Sequence, residues 1–396
     1  MVPTHTLNPS HSIYQIAHPS DSPLGLYLHV PFCLARCHFC SFYLQVYRTE
    51  NVQKYVMALE GEIQLYADLL QLQATPIATI YFGGGTPTIL TADQLSRIGN
   101  LIRSTYHVIP EAEITIEAHP ASVTSSYLHQ LLEAGFNRIS FGIQSTSDSE
   151  LIQLGGRNQT TQIAMAITQA QAAGFSNINI DVMYGLPGQT LETWTSTLHD
   201  ILAFSPQHIS CYALTIEEGT RFAIDQRRGK FKEHDGDIQV AMEEFACNAF
   251  TTAGYQHYEL SNFSQPGFQC RHNMQYWQGG SYLGLGPSAQ SCLGLTRFGN
   301  VADLDRYCEE IESQSLPIRN YELLEREQAL RESIVLGLRM IQGVPLDLVN
   351  TIHACSDWQI LVPQLIENGL LEQASGHLRL TTRGHRFADT VAVTLW

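Results

Sequence analysis

From residue 25 onward, short β-rich runs alternate with longer segments whose apolar residues recur at helical spacing. Residues 25–30 make the first run. Residues 51–72 carry an apolar stripe at Val52, Tyr55, Val56, Leu59, Ile63, Tyr66 and Leu70, which predicts an amphipathic helix. A strand at 78–82 ends in Gly83, Gly84, Gly85 and Thr86, and Thr91 with Gln94 forms a capping box for a helix reaching 106. Strands follow at 113–118, 138–144, 177–183 and 208–214, with helices between them at 124–134, 160–173 and 191–203. Two of these helices end in the same way, Ala134-Gly135-Phe136 and Ala173-Gly174-Phe175: a left-handed glycine after the last turn, then an apolar lead into the next strand. Six such units in about 190 residues predict an α/β fold with a parallel sheet, open or closed into a partial (β/α)6 barrel.

Past residue 220 the rhythm changes. Residues 227–236 are charged and turn-like, 238–253 are amphipathic, and 255–259 read as a strand. Residues 267–287 are rich in glycine and aromatics without periodicity, and an irregular stretch of that length is more often functional than structural. Residues 303–343 read as helical. The tail reads helix, short β segments and a last helix from Thr382, an order that predicts a small winged-helix-like module. The expected organisation is a leader at 1–23, a partial barrel at 24–230, an extension at 231–302 and an α-rich domain at 303–396.

The formal net charge of −16 argues against nucleic acid as a partner, because phosphates repel such a chain unless a basic patch is present. The winged-helix-like tail is therefore expected to make packing or protein contacts. No apolar run is long enough to span a bilayer. The first 23 residues, rich in Ser, Thr, His and Pro, have neither the basic start of a signal peptide nor the arginines of a transit peptide, which points to the cytoplasm. Nine scattered cysteines suit a reducing compartment.

Only Cys33, Cys37 and Cys40 cluster, spaced C-x3-C-x2-C. Three thiolates on one tightly curved loop can hold three corners of a [4Fe–4S] cube and leave the fourth iron open to a small molecule. A zinc site completed by His29 or His38 is the alternative. In barrels of this class ligand chemistry gathers at the C-terminal ends of the strands. Here those ends carry the cysteine loop, the Gly83–Thr86 run, Glu117, Gln144 and Asp181. Bare glycine backbone can approach a ligand, and two carboxylates with an amide can hold a ribose and an amino acid. Each feature alone is as well explained by a tight turn or a structural hydrogen bond; their order along one repeat is not.

That order resembles the radical S-adenosylmethionine family, in the branch shared by the oxygen-independent coproporphyrinogen III oxidase and the heme chaperone HemW. The residues carrying the resemblance are Tyr27-x-His29-x-Pro31-Phe32-Cys33, the run from Gly83 to Thr88, Glu117-Ala118-His119-Pro120, Phe141 to Ser145, and Asp181 to Pro187. It implies a [4Fe–4S] cluster on Cys33, Cys37 and Cys40, with S-adenosylmethionine chelating the open iron. Tyr27, Phe39, Gly84, Gly85, Thr86, Glu117, Gln144, Arg157, Asp181 and Ala213 are implied to line its pocket. The implied chemistry is one-electron cleavage of the sulfonium to a deoxyadenosyl radical.

Two features separate the branch members. The oxidase resembles C-x3-C-x2-C-x-C, and Phe42 stands where its fourth cysteine belongs. The run His272-Asn273-Met274-Gln275-Tyr276-Trp277 matches an HNxxYW motif typical of the chaperone. The resemblance thus implies heme as ligand, with His272 as the expected contact and Cys270 as a second candidate. It also implies acceptor hemoproteins as partners, at or near the membrane. Two departures remove histidines that the family commonly has: Gln159 in Leu154-Gly155-Gly156-Arg157-Asn158-Gln159, and Gln290 in Ser288-Ala289-Gln290-Ser291.

Overall fold

The computed structural model describes residues 22–155, 160–353 and 357–396. The leader lies mostly outside them, as does Arg157. Six β/α units follow one another: β1 (Leu24–Val30), α1 (Thr49–Leu70), β2 (Pro76–Gly84), α2 (Ala92–Thr105), β3 (His107–Ala118), α3 (Ser125–Glu133), β4 (Arg138–Gln144), α4 (Thr160–Ala173), β5 (Ile178–Tyr184), α5 (Leu191–Ala203) and β6 (His208–Ala213). These six strands are parallel to one another, as helical crossovers require.

The remaining strands extend this sheet at both ends. After α6 (Gly236–Thr252), β7 (Gln256–Glu259) and β8 (Asn262–Ser264) add antiparallel beside β6. After α7 (Arg271–Trp277), β9 (Tyr282–Leu285) adds parallel to β1, followed antiparallel by β10 (Gln290–Leu293), β11 (Thr296–Asn300) and, past α8 (Leu304–Glu312), β12 (Ile318–Leu323). The result is one open 12-stranded sheet in the order β12-β11-β10-β9-β1-β2-β3-β4-β5-β6-β8-β7. The aperiodic stretch at 267–287 thus contains a helix and a strand, and the region expected to be helical from 303 contains β12.

The stripe of α1 is buried as its spacing predicts, from Val52 to Leu70, with one polar member, Glu62. A first core runs from Leu24 through Ile311. A second is built from Ile334 to Leu395 around Trp358, with a three-stranded sheet of Val344–Pro345, Leu371–Ala374 and His377–Leu380. Sheet and helices match the winged-helix-like order, but the second core begins some thirty residues after position 303. Helix α9 (Arg326–Gly337) leaves β12, and the chain then pairs onto the opposite end of the sheet. Leu260 N–H donates to Arg339 O at 3.0 Å, Ile341 N–H to Tyr258 O at 3.0 Å, and Met340 bridges Glu259. Covering β7 in this way removes an exposed edge. Among the described residues no helix is long and apolar enough to cross a membrane.

Candidate functional site at the mouth of the sheet

The cysteine loop is held from several sides by backbone hydrogen bonds. Tyr47 N–H donates to Cys33 O at 2.9 Å, His38 N–H to Leu154 O at 2.9 Å, and Phe222 N–H to His38 O at 2.9 Å. Cys33, Cys37 and Cys40 are free and half-buried. Burial, reinforced by the neighbouring Cys40 and Cys33, pushes the Cys37 thiol up to about 11. Metal loading must therefore displace protons.

The glycines after β2 serve this loop more than they serve a ligand. Gly85 N–H donates to Val30 O at 2.8 Å, Thr86 N–H to Phe32 O at 2.7 Å, and Thr86 Oγ1 lies 3.5 Å from Cys33 Sγ. A Cβ at Gly85 would meet Phe32 O at 2.5 Å, and one at Gly84, where φ is +105°, would meet the His29 ring at 2.6 Å. Only glycine lets the two strand ends approach this closely. The N–H groups of Gly84, Gly85 and Thr86 are all bonded within the protein.

Of the two histidines offered for zinc, His38 gives its Nδ1–H to Gln153 O at 2.8 Å, while His29 is engaged at both ring nitrogens. His29 Nε2–H donates to Tyr43 O at 3.1 Å, so Nδ1 is the atom that accepts from the Tyr27 hydroxyl at 3.1 Å. Among the described residues no three His, Cys, Asp or Glu side chains converge as one ion needs. Ligands on separate irons of a cube stand further apart than those sharing an ion.

Glu117, at the end of β3, accepts from Tyr81 Oη at 2.9 Å and from Gly84 N–H at 3.1 Å. It is half-buried and borders a cavity with Tyr27 and Gly84. Burial, then the charge of Asp181, raises its carboxyl from 4.5 to about 7. Asp181 accepts from Asn179 Nδ2 at 2.7 Å and from Ser140 Oγ at 3.4 Å. Asn179 Oδ1 in turn accepts from His208 Nδ1–H at 2.5 Å, and His208 Nε2 accepts from the Tyr258 hydroxyl at 2.7 Å. This chain of bonds fixes the carboxylate. Gln144 ends β4 with φ at +66°, a left-handed conformation costly for a side chain of its size, and strain of this kind gathers at functional sites. Phe39 and Ala213, at the loop and at the end of β6, are half-buried.

His272 does not sit as expected. It is 2% exposed and stacked on Tyr81 with ring centroids 5.1 Å apart. Thr79 Oγ1 donates to Gln275 Oε1, so the bond of 2.8 Å between Thr79 and His272 comes from Nδ1–H; Nε2 then accepts from Tyr276 Oη at 2.8 Å. Burial lowers its pKa to about 3, so the ring stays neutral. Cys270 is fully buried, its Sγ 3.7 Å from Glu113 Oε1. Glu113 also accepts from the N–H groups of Arg271 and His272, both at 3.1 Å, which caps α7 from a neighbouring strand. The motif's histidine is a plug, and neither candidate offers a free atom to heme iron. The sequence reading missed Tyr81, which gives no signal beyond an aromatic in a strand, and Tyr276, whose role depends on His272.

The three thiols, the glycine-dependent contact behind them and a half-buried carboxylate with acceptor capacity to spare fit a cluster with an amino-acid ligand. Comparison with known proteins agrees. Residues 27–201 match the Radical SAM superfamily, and 324–387 match the HemN C-terminal domain. The protein is 34% identical over 378 residues to Heme chaperone HemW of Mycobacterium tuberculosis, covering 94% of this chain and 95% of that one. Against Heme chaperone HemW of Bacillus subtilis and of Escherichia coli it is 30% identical, covering 92% and 93% of this chain and 97% of each relative. Among solved structures, coproporphyrinogen III oxidase (HemN) from Escherichia coli superposes with a TM-score of 0.83 at 24% identity, over 97% of this chain and 92% of the other; this shows a shared fold. By fold, motifs and extent of identity together, the chain belongs to the HemW family within the radical SAM superfamily.

Proposed function

We propose that the protein is a heme chaperone that binds heme in the cytoplasm and hands it to acceptor hemoproteins at or near the membrane. What supports this reading most is identity to proteins of that name over more than nine-tenths of both chains. In this reading Cys33, Cys37 and Cys40 hold a [4Fe–4S] cluster. Tyr27, Phe39, Gly84, Gly85, Thr86, Glu117, Gln144, Asp181 and Ala213 surround S-adenosylmethionine, and Arg157 joins them by family resemblance alone. The cluster supplies one electron when bound. The protein's residues do the rest: Glu117 accepts from the ligand's ammonium group, Asp181 is held in place to accept from a hydroxyl, and the Gly84–Gly85 contact keeps the cysteine loop against the strand ends.

An oxygen-independent coproporphyrinogen III dehydrogenase shares the fold, but Phe42, 64% exposed, occupies the position of that enzyme's fourth cysteine. Anaerobic reconstitution followed by heme titration and transfer tests the choice. About four irons and four sulfides per chain are expected, lost in Cys37→Ala, together with heme uptake and its release to an apo-cytochrome. Stoichiometric zinc without sulfide would exclude the cluster. Formation of protoporphyrinogen from coproporphyrinogen III would overturn the chaperone in favour of the enzyme.

A further inference from the structure

The space at the mouth of the sheet does not stop at Glu117. A cavity of about 570 Å3 runs from Tyr27, Gly84 and Glu117 past Trp277 to Cys292 and Arg297 on the antiparallel extension and Glu332 on α9. Such a volume is in the range that takes compact organic ligands. Its wall combines flat aromatic surfaces with donors that have nothing to bond. The Nε of Arg297 and the indole Nε1 of Trp277 are both buried and have no hydrogen-bond partner among the described residues. Trp277 closes the same short helix whose His272 points the other way, into the sheet. That helix therefore serves two compartments.

We propose that the part of this cavity beyond Trp277, away from the residues given to S-adenosylmethionine, seats the heme and that Cys292 supplies an axial ligand to its iron. The inference rests on the chaperone reading and names the ligand that His272 and Cys270 cannot provide. Cys292 is half-buried, its Sγ in weak contact with Gly294 O at 3.7 Å and hydrogen-bonded to the Arg297 side chain. Across the β10–β11 ladder its register partner is Arg297. Burial raises the pKa of this thiol; the Arg297 guanidinium opposes that rise by favouring the thiolate, and the charge of Glu332 adds to it. On binding, the thiol releases its proton to solvent, sulfur bonds to ferric iron, and the water or hydroxide on that face leaves. Arg297, paired with Glu332 across the gap between β11 and α9, can turn its unused Nε to a propionate, as can the Trp277 N–H. Tetrapyrroles carry this combination: a flat apolar ring, a metal at its centre and carboxylates at one edge.

Heme titration of the full chain, followed by its absorption spectrum, reads this directly. The expected Soret band for wild type is that of a thiolate-ligated heme, and in Cys292→Ala it shifts while affinity falls on the order of tenfold. His272→Ala, if it folds, keeps the thiolate spectrum. Bound heme is also expected to protect Cys292 of the wild-type chain from alkylation, read by mass spectrometry, which needs no variant. Heme uptake with an unchanged Soret band in Cys292→Ala, or equal alkylation with and without heme, overturns this ligand and leaves the chaperone standing. Absence of heme uptake by wild type overturns both.

Discussion

Two carboxylates, one buried and one half-buried, show how this fold separates a site from a support. Glu62, in the middle of the α1 stripe, is 0% exposed and accepts from Tyr307 Oη at 2.6 Å, Asn300 Nδ2 at 2.6 Å and Gly286 N–H at 2.7 Å. Its donors come from the second half of the chain, and they bind α1 to α8, β11 and the turn after β9. Glu117 is as strongly perturbed, and both carboxyls are raised to about 7 with burial as the leading cause. Yet Glu117 has only two donors, faces a cavity and has a second carboxylate, Asp181, near it. One carboxylate is completed by the protein. The other is left short of positive charge, as the proposed contact with the ligand's ammonium group requires. A perturbed pKa alone does not distinguish them; the count of donors and the adjoining space do.

The sharpest way to break this comparison is to delete each carboxylate. Glu62→Ala strands three buried donors, so a loss of roughly 3 kcal/mol or more in urea unfolding is expected. Glu117→Ala is expected to change stability far less and to abolish S-adenosylmethionine binding in calorimetry. Equal losses of stability in both would remove the distinction.

The next effect is one of sign. The folded state binds a proton at Glu62 more tightly than the unfolded chain, so its contribution to stability is full below the ordinary 4.5 and is lost as pH rises through about 7. Glu62→Gln should flatten that part of the stability profile. Affinity for S-adenosylmethionine should instead rise with pH through about 7, as Glu117 ionises, and Glu117→Gln should lose that slope. A binding profile flat over this range in wild type would contradict the role given to Glu117.

The smallest effect concerns the tail. Arg386 Nε lies 2.8 Å from Glu243 and its Nη2 lies 2.7 Å from Glu244, both on α6. Surface pairs of this kind contribute little, so Arg386→Ala should cost under about 1 kcal/mol in the same unfolding assay. A larger loss would mean that the tail's position depends on this contact and not on the pairing at 339–341.

Much of the six-unit sheet was legible because its strands are buried on both faces and its helices are amphipathic. The antiparallel extension was not. β12 reads Ile-Arg-Asn-Tyr-Glu-Leu and is mostly exposed along its length, so it carries no alternation, and β9 and β10 are four residues each. Glu62 was invisible for another reason: it interrupts a stripe that spacing alone marks as apolar, and its partners lie more than 220 residues away. The cysteine loop and the strand-end residues were legible from local spacing. The seating of His272 was not, since its Nδ1 is claimed by Thr79, which no motif pairs with it, and only the fold turns Tyr276 of its own motif back onto Nε2.

The run from Leu324 to Ile341 leaves one end of the open sheet and fastens to the other, through Arg297 and Glu332 at the start and Leu260, Met340 and Tyr258 at the finish. Mechanically it is a tie rod across a C-shaped frame. The second core that begins at Ile334 is thereby moored to both ends of the sheet at once.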